Sequence, residues 1–183
     1  MSTPTPWNID ASHSNIDFFV RHMVISKVRG HFTKFNGVVE LNEADLAQSK
    51  VTASIDASSI DTGTAQRDTH LKSADFFDVE KFPELKFHST RIEKSGKNHY
   101  RVVGQLTMRG VTREVTLDVE ATGTGIDPWG NQRMGFVAKT SLNRTDFGLT
   151  WNQMLEAGGV LVSEEINIEL DIQAVKAAAT KAA

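Results

Sequence analysis

The chain has 183 residues, a formal net charge of -3 and no cysteine. This length suits one domain that buries its own core. The absence of cysteine excludes a disulfide framework, a thiolate nucleophile and a cysteine-ligated metal. The acidic balance argues against a nucleic-acid partner, because no basic field is present to release the counterions of phosphates. These properties favour a neutral or apolar partner.

The amino terminus, MSTPTPWNID, has neither the basic segment nor the apolar segment of a secretory signal. No run of the sequence is apolar enough to span a bilayer. As written, the sequence predicts a cytoplasmic protein, and a periplasmic one if it is a mature form. We predict a single domain over 1–183, with flexible tails at about 1–6 and 176–183.

Apolar and polar residues alternate along most of the chain, which is typical of β-strands with one buried face. Ile16, Phe18 and Val20 share one face of an early strand. Phe32 and Phe35 are out of step by one residue, which predicts a bulge in the second strand. About eight antiparallel strands can be counted, so the expected fold is an all-β barrel just wide enough for one slender ligand. A two-sheet sandwich is the alternative.

The segment 57–83 is the longest connection, and it is polar and charged before it ends on adjacent aromatic residues. Thr64 is predicted to open a short helix that runs through Leu71 to Ala74. Long connections in compact domains are commonly lids or binding loops. We therefore predict that this segment covers one end of the barrel.

A second long connection, 143–159, contains Arg144 and Asp146. These two residues could form a polar rim at the mouth of the barrel or a structural ion pair. An Arg-Asp pair that fixes the loop is the expected arrangement.

Catalysis and metal binding have weak signals. Asp10, His13 and Ser14 offer the residue types of a hydrolytic triad, but no G-x-S-x-G elbow accompanies them. Asp68 and His70 offer the residue types of a general base and of the carboxylate that orients it. The six histidines are scattered, without the spacing that brings two imidazoles to one metal. The sequence therefore predicts a binding protein with no metal site, and a small hydrolase is the less favoured alternative.

Several segments together resemble the YceI-like family of lipid- and polyisoprenoid-binding proteins. These segments are WNIDASHSNIDF from Trp7, VRHMVISKVRGHFTKF from Val20, SIDTGTAQRDTHLKSADFF from Ser59, GQLTMRGVTREV from Gly104 and DFGLTW from Asp146. The resemblance implies a lipocalin-like antiparallel β-barrel with a short helical insertion. It also implies an elongated apolar cavity for an isoprenoid chain, such as a quinone tail or a polyprenyl phosphate. The implied role is storage, transport or stress protection, with no cofactor other than the bound lipid.

The predicted ligand-binding residues are mostly inward apolar side chains. The wall is expected to consist of Phe18, Val20, Phe32, Phe35, Phe87, Leu106, Met108, Leu117, Phe136 and Trp151, with Phe76 and Phe77 closing one end. Arg67, Asp68 and His70 are predicted at a polar rim that meets the headgroup. The alternative for these three is a solvated helix face with intramolecular ion pairs.

Two further alternatives concern the partner. The protein is interpreted as a binder of an isoprenoid lipid, or else of another fatty-chain amphiphile. A β domain that binds another protein would need an exposed apolar patch, against which the strict alternation of the last strand argues. A homodimer is left open.

Overall fold

The structure, a computed structural model, describes residues 2–179. It is built almost entirely from antiparallel strands, with one α-helix, α1, at Ala65–Lys72. The strands are β1 (Thr5–Ile9), β2 (Asn15–His22), β3 (Ser26–Phe32), β4 (Phe35–Leu41), β5 (Lys50–Asp56), β6 (Ile60–Asp61), β7 (Glu84–Gly96), β8 (His99–Met108), β9 (Val111–Ile126), β10 (Gln132–Asn143) and β11 (Val162–Lys176). No helix among residues 2–179 is long and apolar enough to cross a bilayer.

The eleven strand segments form a closed barrel of eight strands. Three of the eight barrel strands are interrupted. Each of them consists of two segments, namely β1 and β2, β3 and β4, and β5 and β6. Neighbours in the chain are neighbours in the sheet, and each pair is antiparallel. The ring closes because β11 pairs with β2 through Ile168 and Phe18, and with β1 through Ala174 and Ile9. The predicted barrel is confirmed, and the sandwich alternative is wrong.

Where a bulge was predicted in the second strand, the structure has a break between β3, which ends at Phe32, and β4, which begins at Phe35. Ser59 satisfies the backbone there, because its carbonyl oxygen accepts from the N–H of Thr33 and its Oγ accepts from the N–H of Lys34. Nearby, a Cβ atom at Gly30 would lie 2.5 Å from the ring of Phe18. Glycine at this position therefore lets the Phe18 ring lie across the bent strand.

The connections alternate between the two ends of the barrel. The end that we call the covered end holds the turn after β2, the segment 62–83 with α1, the turn after β8 and the residues 144–161. The helix begins after its N-cap, Thr64, as predicted, but it ends at Lys72 rather than Ala74. It ends there because Ser73 has an extended backbone and its N–H donates to the carbonyl of His70.

The opposite end holds the turns after β4, β7 and β9, together with the start of β1 and the end of β11. The paired strands extend into both of the flexible tails that were predicted at 1–6 and 176–183. Thr5 and Pro6 pair with β4, and Trp7 pairs with Lys176. Residues 1 and 180–183, which fall within those predicted tails, lie outside the described residues.

Two clusters of buried apolar side chains fill the ends of the barrel. The cluster at the covered end consists of Phe32, Ala57, Ile60, Phe76, Leu85, Met108, Phe147 and Leu149. The cluster at the opposite end consists of Trp7, Val39, Leu41 and Ala174. The interior between them is not filled by side chains, and this leaves the cavity described next.

Candidate functional site

A cavity of about 300 Å³ lies inside the barrel, and all eight barrel strands contribute to its wall. Alternate residues of each strand point inward, so the apolar face of every strand meets this space. Almost all of the lining side chains are apolar. The volume is within the range of pockets that hold small-molecule ligands. The cavity can therefore accept an apolar molecule without repacking of the barrel.

Most of the predicted wall residues border this cavity. They are Phe18, Val20, Phe32, Phe35, Phe76, Phe77, Phe87, Leu106, Met108, Leu117 and Phe136. Trp151 is outside the cavity, and its ring packs edge-on against His70 with centroids 4.7 Å apart. That these side chains contact a ligand remains a prediction.

Phe76 and Phe77 both border the cavity at the covered end. An extended segment would point the two adjacent rings in opposite directions, but residues 74–77 form a turn, and both rings border the cavity. Phe76 is buried, and its carbonyl oxygen accepts a hydrogen bond of 2.5 Å from Arg109. Phe77 is half-buried and meets the ring of Phe32 edge-on at 6.0 Å. The covering segment, residues 62–83, is thus tied both to the turn between β8 and β9 and to the barrel wall.

The three predicted rim residues make contacts within the covering segment and do not border the cavity. Asp68 accepts hydrogen bonds from the N–H and the hydroxyl of Thr62, at 2.9 and 2.6 Å. Arg67 donates to the hydroxyl and the carbonyl of Thr62, each at 2.7 Å. His70 Nε2 lies 2.8 Å from Asp75 Oδ2. The contacts with Thr62 fix α1 to the residue that follows β6, and the contact between His70 and Asp75 lies within the same segment. That these three residues meet a headgroup remains a prediction.

Arg144, which the sequence placed either at a polar rim or in an ion pair with Asp146, is a buried charged residue that borders the cavity. Its side chain donates to four carbonyl oxygens, those of Leu149, Trp151, Val162 and Ser163, at 2.7 to 3.3 Å. Burial lowers the pKa of Arg144 from its ordinary value. An arginine nevertheless stays protonated in proteins, so a positive charge lies beside the apolar cavity.

The expected ion pair between Arg144 and Asp146 is wrong. Asn143 caps the short 3-10 helix Arg144–Phe147, with its side chain accepting from the N–H of Thr145. This turn directs Arg144 and Phe147 inward and leaves Asp146 exposed. Among the described residues, no carboxylate lies within salt-bridge distance of Arg144. Asn143, a common N-cap residue directly before Arg144, was the feature of the sequence that could have indicated this turn.

A polar cluster at the opposite end joins Asp10 and Asp127 through Arg133, with both N–O distances at 2.8 Å. Hydrogen bonds from Arg133 and Ser12 hold the pKa of Asp10 well below its usual range. Burial opposes ionisation of Asp127, but hydrogen bonds from Arg133 and Asn131 outweigh it and lower its pKa to about 2. The cluster fastens β1 to the turn between β9 and β10.

The triad residue types near the amino terminus do not form a relay. Asp10 Oδ2 lies 2.9 Å from His13 Nδ1, and Ser12 Oγ lies 3.1 Å from that same nitrogen. A relay needs the acid and the nucleophile on different ring nitrogens. Ser14 instead bonds the backbone of Gln173. No group of three metal-ligating side chains is found in the described part of the chain.

The chain is similar to proteins of known sequence and structure along most of its length. The model of the YceI-like domain matches residues 7–174. A UPF0312 protein of Staphylococcus aureus is 38% identical over 166 residues, which cover 90% of this chain and 94% of that protein. The crystal structure of Burkholderia cenocepacia BcnA superposes with a TM-score of 0.80 at 25% identity, over 90% of this chain and 98% of that chain.

Two further solved structures share the fold. The YceI protein of Campylobacter jejuni has a TM-score of 0.75 at 28% identity, over 86% of this chain and 90% of that chain. A domain from Saccharophagus degradans, described as polyisoprenoid binding, has a TM-score of 0.68 at 14% identity, over 93% and 98% of the two chains.

The closed eight-stranded barrel around an apolar cavity defines a lipocalin-like protein. Within that class, the chain belongs to the YceI-like family. The resemblance noted from its sequence segments is confirmed.

Proposed function

We propose that the protein binds one long-chain isoprenoid lipid inside the barrel, for storage, transport or stress protection, and performs no chemistry on it. The observation that carries this proposal is the apolar cavity that all eight strands line. The description of the Saccharophagus degradans domain as polyisoprenoid binding supports it. The match to the YceI-like domain over residues 7–174 also supports binding rather than hydrolysis.

The tail contributes more to this binding than the headgroup. Burying one methylene is worth about 0.8 kcal/mol before costs, and a neutral hydrogen bond nets about 1 kcal/mol. For large ligands the gain falls to about 0.3 kcal/mol per heavy atom. A five-carbon isoprene unit then adds about 1.5 kcal/mol, which is about tenfold in Kd. The affinity should rise with each unit until the cavity is full.

The headgroup end of the ligand lies toward Arg144 in this proposal. A guanidinium has five N–H groups, and the four carbonyl contacts of Arg144 use four of them. The charge of Glu164 acts on Arg144 from a distance, but no carboxylate among residues 2–179 lies within salt-bridge distance of it. A phosphate or a quinone carbonyl can accept from the remaining N–H group, and the phosphate gains more because charged hydrogen bonds are the stronger ones.

Titration of delipidated protein with prenyl alcohols of increasing length tests the tail, and straight-chain alcohols of equal carbon count are the matched control. We expect Kd to fall with length and then level off, with prenyl chains preferred. Equal affinities for both series would favour the fatty-chain alternative. No binding of either series would contradict the proposal. Prenyl phosphates of the same length then report on Arg144, and equal binding of phosphate and alcohol would refute only the headgroup assignment.

A further inference from the structure

Five large apolar side chains are exposed at the covered end of the barrel. This surface, the apolar tip, consists of Met23, Val24, Ile25, Met154 and Val160, and Val24 and Ile25 are 74% and 81% exposed. The N–H of Met23 donates to the carbonyl of Leu161 at 2.8 Å, so the turn after β2 lies against the loop that precedes β11. A cluster of exposed apolar residues on a soluble domain marks an interaction site.

The backbone of the turn does not suit the residues that it carries. The N–H of Ile25 donates to the carbonyl of His22 at 3.2 Å, and the two central residues, Met23 and Val24, have φ values of 53° and 63°. Turns with two positive φ angles favour Asn-Gly. A β-branched residue in this region is a genuine outlier. Such strain points to a role of the side chains beyond the fold itself.

Cations border the apolar tip on the outer face of the same hairpin. Arg21, Lys27 and Arg29 are all exposed, although the chain as a whole has a net charge of -3. Lys27 Nζ and the guanidinium carbon of Arg29 lie 4.4 and 5.3 Å from the ring centroid of Phe19. Asp146 and Glu156 are the carboxylates of the adjoining residues 144–161, and both are exposed.

Further carboxylates lie on the other side of β2. Glu164 and Glu165 are exposed on β11, which β2 separates from β3 and its cations. The β2–β3 hairpin itself carries Arg21, Lys27 and Arg29 against one exposed carboxylate, Asp17, so positive charge predominates beside Val24 and Ile25.

We propose that the apolar tip docks on an anionic phospholipid membrane. Met23, Val24 and Ile25 enter the boundary between headgroups and acyl chains, while Lys27 and Arg29 bind the headgroups. Apolar side chains rimmed by lysine and arginine are the signature of interfacial membrane binding, and a neutral protein partner would not need the cations. A docked barrel presents its covered end to the bilayer, which is the source of long apolar molecules. This docking is distinct from ligand binding in the barrel, and vesicle binding can be measured without a ligand.

Cosedimentation of the delipidated protein with vesicles tests the inference. We expect binding to phosphatidylcholine vesicles that contain phosphatidylglycerol, little binding to phosphatidylcholine alone, and weakening with salt. The double variant Met23→Asn/Val24→Gly relieves the backbone strain of the turn, so its melting temperature should be unchanged or higher. Its affinity for the vesicles should fall at least tenfold. Lys27→Gln and Arg29→Gln should each cost about fivefold.

The opposite end of the barrel provides the control, because Trp129 is 82% exposed there. Trp129→Ala should leave vesicle binding unchanged. Binding that is insensitive to lipid charge, or unaffected by Met23→Asn/Val24→Gly, would overturn the proposal. A dimer in solution that this double variant dissociates, without vesicle binding, would assign the apolar tip to a second copy of the chain and would equally overturn it. Vesicle binding with failed prenyl-alcohol titrations would refute the proposed function alone.

Discussion

Enlarging a small residue in the cavity wall distinguishes an open cavity from a packed core. Ala138 is 4% exposed on β10 and borders the cavity, between Val119 and Leu170 of the neighbouring strands. Ala138→Leu adds three carbons. At about 0.8 kcal/mol per buried methylene, filling empty space stabilises the protein by up to about 2 kcal/mol. In a packed core the same change would destabilise it by about 1 to 3 kcal/mol.

Ala174→Leu is the matched control. Ala174 is 1% exposed and packs in the cluster around Trp7, away from the cavity. Urea unfolding should show a raised or unchanged midpoint for Ala138→Leu and a lowered midpoint for Ala174→Leu, with the same m value. Ala138→Leu should also weaken prenyl-alcohol binding about fivefold, since it displaces about three ligand atoms at about 0.3 kcal/mol each. Equal destabilisation by both variants, with unchanged ligand affinity, would refute the open cavity.

Two more predictions concern the covered end and the opposite end. Phe77→Ala should speed release of a bound prenyl lipid while costing only part of the roughly 3 to 5 kcal/mol of a fully buried phenylalanine, because Phe77 is half-buried. Val103→Ala, a buried truncation away from the cavity, should destabilise without faster release, and equal off-rates in the two variants would contradict the lid role. The carboxylates of Asp10 and Asp127 have lowered pKa values in the folded state, so their stabilisation is present above about pH 4 and is lost as the pH falls toward 2. Melting temperatures should therefore drop over that interval, and Arg133→Gln should flatten the drop; an unchanged acid profile in the variant would count against this assignment.

The sequence predicts the direction of side chains better than the space between them. Alternation is a local property of a strand, so Phe18, Phe87 and Phe136 were expected inside the barrel, and each borders the cavity. Whether such rings fill a core or surround an opening depends on strand tilt and stagger around the whole ring. The alternation of apolar residues carries no information on the tilt and stagger of the strands.

The residues whose positions differ from the predictions are placed by local turns and by distant contacts. Trp151 was expected in the wall, but it lies in a loop without alternation and packs on Phe76 at 5.4 Å. Arg144 faces inward because of the turn that Asn143 caps. The end of the chain was expected to fray, yet Lys176 pairs with Trp7, a partner more than 160 residues away that only barrel closure brings near.

Native mass spectrometry of the protein purified from cells tests the central claim most directly. We expect one bound molecule per chain, with a long apolar tail that fragmentation of the organic extract identifies as prenyl. Ala138→Leu should reduce its occupancy, and Ala174→Leu, where it folds, should not. Recovery of ligand-free protein alone, which also fails to take up added long-chain prenyl lipid, would contradict the account.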